Sequence, residues 1–282
     1  MSDTRTLKMF PNCKINLGLR VVRKREDGYH DLETIFYPIY GLHDELEVST
    51  SSSSDCIEME TEGISLDCRQ DDNLVVKCYR MMAEKYPRVG HVKVSMKKCI
   101  PFGAGLGGGS SDAAFMAKAL NELFDLGLSK EEMAKDVAKL GADCAFFIYN
   151  VPCYATGIGD RLKEIDLNLS GKRLVMIKPD VYVSTKEAYA GIIPSGEGKA
   201  PNGGNMQDWV NDFEKTVFAV HPELGEIKQT LSDAGAEYAA MSGSGSTLFG
   251  LFENHAESGS DSKFGLIDEK LASMVIFNDT LA

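Results

Sequence analysis

The sequence predicts an α+β chain of two domains, an N-terminal α/β domain over residues 1–165 and a C-terminal ferredoxin-like domain over residues 166–282. The length of 282 residues favours two domains at roughly 150 residues each, although one large α/β domain also fits it. A glycine-rich loop between a strand and a helix indicates the α/β part. Beyond residue 165, the order of strand, helices, hairpin, helix and strand is that of a ferredoxin-like unit.

The N-terminal elements are predicted from the periodicity on either side of the glycine loop. Residues 91–96 alternate apolar and polar side chains, as a half-buried strand does. After the glycines of 103–109, apolar residues recur at spacings of three and four, which predicts a helix. A second helix is predicted to begin at Ser129, which opens a Ser-x-x-Glu capping box, and to end at Gly141 in a left-handed cap.

Turn and cap signals predict the remaining elements, and the serine-rich run 49–54 is predicted to be a solvated loop. Proline at a first helical position and glycine just past a helix end are the strongest of these signals. The predicted elements are a strand over 172–178, a flexible loop over 193–205, a helix from Pro222 to just before Gly235, strands over 236–241 and 247–252, a helix near 261–271 and a strand over 274–277.

The charge balance argues against several classes of protein. The chain has 30 Lys and Arg against 42 Asp and Glu, a formal net charge of −12, whereas a nucleic-acid or acidic-membrane binder is expected to be basic. We therefore expect small-molecule partners, no nucleic acid and no membrane, and any anionic ligand needs a local positive site. A monomer or weak homodimer is expected.

Cysteine and histidine usage points to a reduced setting without a structural metal. The seven cysteines are odd in number and form no CxxC pair, so neither a zinc ribbon nor a disulfide framework is suggested. Residues 1–10 contain no apolar targeting stretch, and a cytoplasmic location is expected. The five histidines show no HExxH pattern, which argues against catalytic zinc.

The strongest functional signal is the loop of residues 101–112, PFGAGLGGGSSD. Glycines let a backbone approach a phosphate closely, and the following helix presents unpaired N–H groups. The glycines at 103, 105 and 108 match the dinucleotide-binding fingerprint, but the acidic residue that this motif needs after a second strand is missing. Glu122 and Asp125 fall within or at the end of the helix instead. A P-loop is excluded because Ser110 stands where that motif needs lysine. A purely structural turn remains the alternative.

Several side chains have two interpretations from the residues alone. Asp143 precedes an apolar run and is either a general base or the cap of a turn. Lys14 lies in an apolar strand-like run, where it is either buried with a partner or exposed on an edge strand. Tyr29 and His30 follow an Asp-Gly turn, as surface groups often do, and Tyr189 fits the start of a plain amphipathic helix.

The glycine loop resembles the phosphate-binding motif of the GHMP kinases, the superfamily of galactokinase, homoserine kinase and mevalonate kinase. Further stretches resemble the branch that acts on a cytidine diphosphate-linked alcohol in the non-mevalonate isoprenoid pathway. They are residues 14–19, 27–34 and 140–143 with 146–147, and residues 241–247 are similar to the superfamily's C-terminal glycine motif. Two departures are Cys144-Ala145 in place of Val-Pro, beside Asp143, and Asn12-Cys13 where alanine is common.

The resemblance implies a two-domain GHMP kinase fold and roles for particular residues. It implies that Lys14 and Asp143 form the catalytic pair at the transferred phosphoryl group. Asn16 would help to hold the substrate. For the cytosine base it implies stacking and edge contacts from Tyr29, His30, Thr185 and Tyr189.

For the nucleotide, the resemblance implies ATP as the donor, bound with Mg²⁺. The implied ATP-binding residues are Asn73, Leu74, Lys98, Pro101, Gly103, Ala104, Gly105, Leu106, Gly107, Gly108, Gly109, Ser110 and Ser111. Ser110 and Ser111 are also plausible helix caps, and either serine, or a water that they hold, is a candidate contact for Mg²⁺. Lys97, Lys98 and the basic run 23–25 are expected to supply local positive charge, although that run also fits a solvated hairpin.

The implied activity is the transfer of the ATP γ-phosphate to a hydroxyl of cytidine diphosphate-linked methylerythritol. Direct in-line transfer is expected, because the loop contains no nucleophile placed to form a phosphoenzyme. Two alternatives remain open at this point. One is another GHMP kinase acting on homoserine or mevalonate, and the other is a nucleotide-binding protein without catalysis.

Overall fold

Twelve strands and seven α-helices form in the part of the chain that the computed structural model describes, which is residues 4–53, 56–65, 69–194, 196, 205–253, 267 and 271–282. The strands are β1 (Thr6–Met9), β2 (Asn12–Lys24), β3 (His30–His43), β4 (Glu45–Thr50), β5 (Ile57–Gly63), β6 (Val92–Lys98), β7 (Cys153–Thr156), β8 (Arg161–Glu164), β9 (Arg173–Ile177), β10 (Tyr238–Met241), β11 (Leu248–Phe252) and β12 (Val275–Thr280). The helices are α1 (Leu74–Lys85), α2 (Gly108–Leu123), α3 (Lys130–Val137), α4 (Cys144–Tyr149), α5 (Thr185–Tyr189), α6 (Phe213–Val220) and α7 (Pro222–Asp233).

The chain divides into two units, and each unit is built from three stretches that alternate along the sequence. The first unit contains residues 1–14, 38–102 and 107–151, and the second contains residues 15–37, 103–106 and 152–282. These divisions fall at other positions than the predicted boundary near residue 165. The assignment of residues 1–165 to ATP and 166–282 to substrate stays a prediction.

The first unit packs α1 and α2 with a four-stranded sheet in the order β1, β4, β6, β5. Strand β6 runs antiparallel to β4 and parallel to β5. Val92, Val94 and Met96 of β6 are buried while the residues between them are exposed, so the predicted half-buried strand is confirmed. The helix predicted after the glycines is α2, which buries Ala113, Met116 and Leu120 among other residues of one face.

Helix α3 begins as predicted but ends earlier. Ser129 accepts a hydrogen bond from the Glu132 N–H, and the Glu132 carboxylate accepts one from the Ser129 N–H, which completes the capping box. The predicted end at Gly141 is wrong, because the helix ends at Val137 and Gly141 has no left-handed backbone. The Leu140 N–H donates to the Val137 carbonyl, so a tighter turn replaces the last helical turn.

The second unit contains the predicted ferredoxin-like sheet. Its strands lie in the order β10, β11, β9, β12 and are antiparallel, which is the spatial order of a ferredoxin-like fold. Pro222 occupies the first position of α7, and Gly235 follows that helix with a φ of 95°, so both predicted helix signals are confirmed. A second sheet has the order β2, β3, β7, β8.

Parts of three sequence predictions lie outside the described residues. They concern most of the helix near 261–271, much of the loop over 193–205, and Ser54 of the serine-rich run. The loop prediction for that run is wrong for Ser49 and Thr50, which pair with β6 as the end of β4. Among the described residues, no helix combines the length and the apolar character needed to cross a bilayer.

Candidate active site

Lys14 and Asp143 form an ion pair inside the first unit. The Lys14 Nζ lies 3.5 Å from the Asp143 Oδ2, and the side chains are 4% and 31% exposed, respectively. Lys14 belongs to β2, whose neighbouring residues are buried, so the alternative of an exposed edge-strand lysine does not hold. A buried ammonium thus faces a carboxylate that solvent, or a ligand, can reach.

Asp143 stands at the start of α4 but does not cap it. Its side chain makes no hydrogen bond to the first turn of that helix, so the capping alternative left open by the sequence is not observed. Cys144 and Ala145, the departure from the family pattern, are buried in the first turn. The Cys144 N–H donates to the Gly141 carbonyl at 3.1 Å, which fixes the short turn that presents Asp143.

The glycine loop leads into α2 through left-handed backbone. Gly103, Gly105 and Gly107 have φ values of 62°, 76° and 73°, a conformation in which other residues are strained. Gly107 directly precedes α2, and the amides of a first helical turn have no acceptor within the helix. These amides and the helix dipole make this end of α2 suitable for an anion.

The protein's own packing explains some of the loop glycines but not Gly109. A Cβ at Gly107 would lie 3.0 Å from the Phe147 ring and 3.3 Å from the Lys14 Cε, and one at Gly108 would lie 2.9 Å from the Ile100 Cγ2. A Cβ at Gly109 would meet only the Leu74 Cδ1, at an ordinary 3.7 Å. Gly109 is helical, so neither its backbone nor its neighbours require glycine, as expected if a ligand approaches there.

Lys98 lies in the interior of the first unit and not at an open surface. Its ammonium binds the carboxylates of Asp44 and Asp112, the latter at 2.6 Å, and all three side chains are at most 4% exposed. Burial disfavours the charge of Lys98, but Asp112 and Asp44 raise its pKa overall. Burial also raises the pKa of Asp112 to about 7, against the opposing charge of Lys98. The expectation that Lys98 provides uncompensated positive charge is therefore wrong.

The other residues predicted to bind ATP lie around the start of α2 or at the start of α1. Asn73 caps α1, its side chain accepting a hydrogen bond from the Val75 N–H at 2.9 Å, and Leu74 follows it beside Gly109. Ser110 is half-buried, while the Ser111 hydroxyl is buried and has no hydrogen-bond partner. Along the loop itself, Pro101 is half-buried, whereas Ala104 and Leu106 are buried.

Asn16 is held by a chain of hydrogen bonds in the second unit. Its Nδ2 donates to the Thr34 hydroxyl at 3.0 Å, and its main-chain N–H donates to the Ser242 hydroxyl at 3.3 Å. The Ser242 hydroxyl donates in turn to the Gly105 carbonyl at 3.0 Å. The C-terminal glycine motif thus connects the strand that carries Asn16 with the second unit's part of the glycine loop.

The residues predicted to bind cytosine also belong to the second unit. The His30 and Tyr189 rings are stacked with centroids 4.6 Å apart, so they cover each other's faces. Tyr29 is 62% exposed, and its N–H donates to Asp27 in the turn before β3. Thr185 is exposed at the first position of α5, the helix that ends at Tyr189. Burial, and to a lesser extent the charge of Lys24, lowers the pKa of His30.

The basic run at residues 23–25 has the character of a solvated hairpin, the alternative left open by the sequence. Arg23 pairs with Asp31 at 2.5 Å, and Arg25 pairs with Asp27 at 2.7 Å and with Asp31 at 3.4 Å. Each arginine charge is therefore compensated within the hairpin. Exposed pairs of this kind contribute little to stability.

Three residues of the site environment were not singled out from the sequence. They are Asp44, Asp112 and Ser242, of which the last two lie within motifs that were recognised. Asp112 ends the glycine loop motif, and Ser242 lies in the C-terminal glycine motif. An aspartate directly before the apolar positions of the predicted helix was the available signal for Asp112, because a buried carboxylate needs a partner. No pattern in the sequence around Asp44 indicates that it contacts Lys98, which lies far along the chain.

Comparison with known families supports these observations. The family model for the GHMP kinases N terminal domain matches residues 73–151, and the one for the GHMP kinases C terminal matches residues 199–261. A Bacteroides thetaiotaomicron protein named 4-diphosphocytidyl-2-C-methyl-D-erythritol kinase is 48% identical, with 86% of this chain and 91% of that protein covered. A Cytophaga hutchinsonii protein of the same name is 45% identical, with 88% and 93% covered.

Solved structures agree in fold along nearly the whole chain. A crystal structure of a 4-(cytidine 5'-diphospho)-2C-methyl-D-erythritol kinase has a TM-score of 0.80 at 30% identity and covers 98% of this chain and 99% of its own. A homoserine kinase from Cytophaga hutchinsonii has a TM-score of 0.72 at 17% identity, with 100% and 96% covered. At that lower identity the likeness shows the fold alone.

Proposed function

Because the chain belongs to the 4-diphosphocytidyl-2-C-methyl-D-erythritol kinase family, we propose that it transfers the γ-phosphate of ATP to the 2-hydroxyl of that cytidylated alcohol. The products are the 2-phosphate and ADP, in the non-mevalonate route to isoprenoid precursors. The observation that carries the proposal is the Lys14–Asp143 pair beside Gly107, at the start of α2. Phosphoryl transfer to an alcohol uses a carboxylate that accepts the hydroxyl proton, positive charge near the reacting groups and a site that holds the phosphates, and these three groups supply them.

Asp143 accepts the proton of the substrate hydroxyl, and Lys14 orients that carboxylate and offsets negative charge that develops near it. This assignment is supported by the 3.5 Å separation, by the burial of the ammonium and by the absence of a capping bond on Asp143. The buried lysine strengthens these interactions because little water screens it. Catalysis is then mainly a matter of alignment and charge.

Transfer is direct, without a phosphoenzyme. The thiols beside the pair in the chain are Cys13 and Cys144. Burial raises the pKa of both, that of Cys144 to about 11, so the nucleophilic thiolate is scarce at neutral pH. The hydroxyls at the start of α2, Ser110 and Ser111, are also poor nucleophiles without a base. The substrate hydroxyl is therefore the attacking group.

The ATP phosphates bind along residues 103–111, with the adenosine towards Asn73 and Leu74. The proposal is supported by the left-handed glycines, by the amides of the first α2 turn and by the space at Gly109 beside Leu74. The resemblance also implied a base or ribose contact from Lys98. The burial of that ammonium between two carboxylates supports an indirect role instead.

Mg²⁺, when bound with ATP, offsets charge on the phosphate oxygens. Ser110 or Ser111, directly or through a water, would hold it. The donor set fits, because hydroxyl oxygens suit this cation and the buried Ser111 hydroxyl has no hydrogen-bond partner. Such a small protein contribution is typical where the nucleotide supplies most of the ligands.

The cytosine end of the substrate binds residues of the second unit. Tyr29 and Tyr189 stack on the base, and His30 and Thr185 contact its polar edge, while Asn16 helps to hold the alcohol. A lowered His30 pKa supports this role, because a neutral imidazole offers cytosine both a donor and an acceptor. The present stacking of His30 on Tyr189 means that one of these rings moves when cytosine binds.

A cytoplasmic location belongs to the same proposal. The predicted division into residues 1–165 for ATP and 166–282 for substrate is not strict in it, because Asn16, Tyr29 and His30 are proposed to hold the substrate. The free cysteines among the described residues are consistent with a reducing compartment. The oligomeric state, expected as a monomer or weak homodimer, stays a prediction.

A substrate panel tests the proposed function. The protein is incubated with ATP and Mg²⁺ and with the cytidylated erythritol, homoserine or mevalonate in separate reactions, and ADP and product are measured. We expect turnover only of the cytidylated erythritol. Turnover of homoserine or mevalonate alone would reject the assignment, and ATP binding without turnover of any of them would favour a non-catalytic nucleotide binder.

A further inference from the structure

A buried cluster of three charges joins the two ends of the glycine loop. We name it the loop anchor, and it consists of Asp44, Lys98 and Asp112. Lys98 is the last residue of β6, and Asp112 lies in the second turn of α2, so the ammonium bridges the residues on either side of the loop. Asp44 directly precedes β4 and lies on the other side of the ammonium.

Asp44 also fixes the chain as it leaves β6. Its Oδ1 accepts hydrogen bonds from the N–H groups of Cys99 and Ile100, at 2.5 Å and 2.9 Å. Ile100 in turn packs where a Cβ at Gly108 would lie, 2.9 Å from its Cγ2. The carboxylate therefore controls the path of the segment that leads into the loop, and Ile100 contacts the first residue of α2.

The charges of the loop anchor do not suit direct phosphate binding. The Lys98 Nζ is 3.6 Å from the position of a Cβ at Gly108, near the anion-binding end of α2, yet two carboxylates accompany it. Two of the three N–H groups of this ammonium are donated to the carboxylates of Asp44 and Asp112. Here the cluster carries no positive excess, so attraction of the nucleotide is not its purpose.

Stability of the fold does not account for the loop anchor either. Replacing a buried ion cluster by apolar side chains is often neutral or stabilising, because burial of charge opposes the attraction. The Asp112 Oδ1 is buried without a hydrogen-bond partner, so the network is not fully satisfied. What the cluster provides, and apolar packing would not, is directional bonds between the two loop ends.

We propose that the loop anchor holds the glycine loop in its nucleotide-binding shape before ATP arrives, with Asp44 and Asp112 as positioning residues. The inference rests on the proposed function, since it deepens the role of the same loop. Lys98 then acts on ATP through the loop and not by touching the nucleotide. A preformed loop binds more tightly because less ordering accompanies binding.

The experiment compares Asp112→Asn with a matched control in the same unit. Asp136 is also a buried aspartate, 1% exposed, and it accepts hydrogen bonds from Lys85 at 2.6 Å and from Tyr86 at 2.7 Å. Its cluster joins α1 and α3 and not the loop ends. Asp136→Asn therefore reproduces the loss of a buried charge without touching the loop.

Two readouts are measured for both variants: the dissociation constant of a non-hydrolysable ATP analogue and the KM for each substrate. We expect Asp112→Asn to weaken analogue binding and to raise the KM for ATP at least tenfold, with the KM for the cytidylated alcohol unchanged. We expect Asp136→Asn to change analogue binding less than twofold at a comparable loss of melting temperature. Equal effects of the two variants, or no effect of Asp112→Asn on binding, would overturn the proposal.

Asp44→Asn is the second variant, because its amide oxygen still accepts from Cys99 and Ile100 while the bond to Lys98 is lost. We expect the same selective loss of analogue binding. Failure of both Asp44→Asn and Asp112→Asn to fold would overturn the proposal, since the cluster would then serve the whole unit. If the parent binds the analogue but does not phosphorylate the alcohol, the proposed function fails while the binding comparison still decides this inference. A parent that does not bind the analogue overturns both.

Discussion

At the residue scale, the proposed chemistry depends on the unequal exposure of Lys14 and Asp143. The ammonium is 4% exposed and the carboxylate 31%, so a ligand can reach the acid while the lysine stays shielded from water. Shielding strengthens the interaction between the two, and truncation of Asp143 would remove this counter-charge from a buried ammonium. The neutral replacement of Asp143 is therefore more informative than its truncation.

Asp143→Asn is expected to abolish most turnover without abolishing nucleotide binding. The amide cannot accept the hydroxyl proton, and loss of a general base typically lowers kcat by about 10²–10⁴-fold. We expect the dissociation constant of a non-hydrolysable ATP analogue to change less than threefold, as measured by calorimetry. Asp71→Asn, at an exposed ion pair with Arg80, serves as the control. A variant with parental kcat would show that Asp143 is not the base.

Gly109→Ala tests whether position 109 is glycine because a ligand approaches it or because the protein's own packing requires it. Because Gly109 is helical and its Cβ would make only an ordinary contact with Leu74, we expect the variant to be more stable by about 0.5–1 kcal/mol in urea unfolding. The same methyl group would meet the nucleotide, so we expect ATP-analogue affinity to fall at least tenfold, or about 1.4 kcal/mol. Gly225→Ala in α7, with ordinary space beside Phe218, should stabilise without this loss. Unchanged affinity in Gly109→Ala would mean that no phosphate passes this position.

At the element scale, the predictions that held were those based on local signals with a physical mechanism. The capping box at Ser129, the proline at the start of α7 and the alternation along β6 each satisfy or bury groups within a few residues. The end of α3 was not predictable in this way. The i to i+3 bonds after Val137 compete closely with a further helical turn, and packing of the following residues decides between them.

The same limit applies to the site. The glycine loop, Lys14 and Asp143 could be identified from the sequence through a family resemblance, but the burial of Lys98 could not. Its partners Asp44 and Asp112 are distant in the chain from one another, and only the pairing of β4 with β6 brings Asp44 close. Likewise, nothing local predicts that His30 stacks on Tyr189. Tertiary contacts of charged and aromatic side chains are what one sequence reveals least.

Lys118 connects α2 with α4, the helix that follows Asp143, and it makes stability depend on pH. Its ammonium donates to the Phe147 carbonyl at 2.7 Å, and burial, followed by the charge of Lys130, lowers the pKa of Lys118 to about 8. Its unfolded value is about 10.4, so between these pH values the unfolded chain binds more protons than the folded one. Stability contributed by this group therefore rises from pH 8 to pH 10.4.

We expect Lys118→Met to lack that rise. The difference in unfolding free energy between parent and variant should change by at most about 3 kcal/mol across this range. Urea unfolding at pH 8 and at pH 10 measures it, with exposed Lys135→Met as the control. Parallel pH profiles of the parent and Lys118→Met would contradict the account of this lysine.

At the scale of the whole molecule, the proposed function requires a chain with a net charge of −12 to act on two anionic substrates. The predicted two-domain GHMP kinase fold is confirmed by the family matches and by the solved structure at 30% identity. In the proposed function, local attraction comes from the amides at the start of α2, because Lys14, the two arginines of the hairpin and Lys98 are each paired with carboxylates. Specificity for anions thus comes from a few oriented groups and not from the overall field.

The central claim is that the protein moves the γ-phosphate directly to the 2-hydroxyl of the cytidylated erythritol. Phosphorus NMR of a reaction with ATP, Mg²⁺ and this alcohol tests it most directly. We expect one new phosphomonoester resonance, equal in amount to the ADP formed and without three-bond splitting by protons, because carbon 2 carries the methyl group and no hydrogen. ADP accompanied only by inorganic phosphate, or phosphate retained on the protein, would contradict the account.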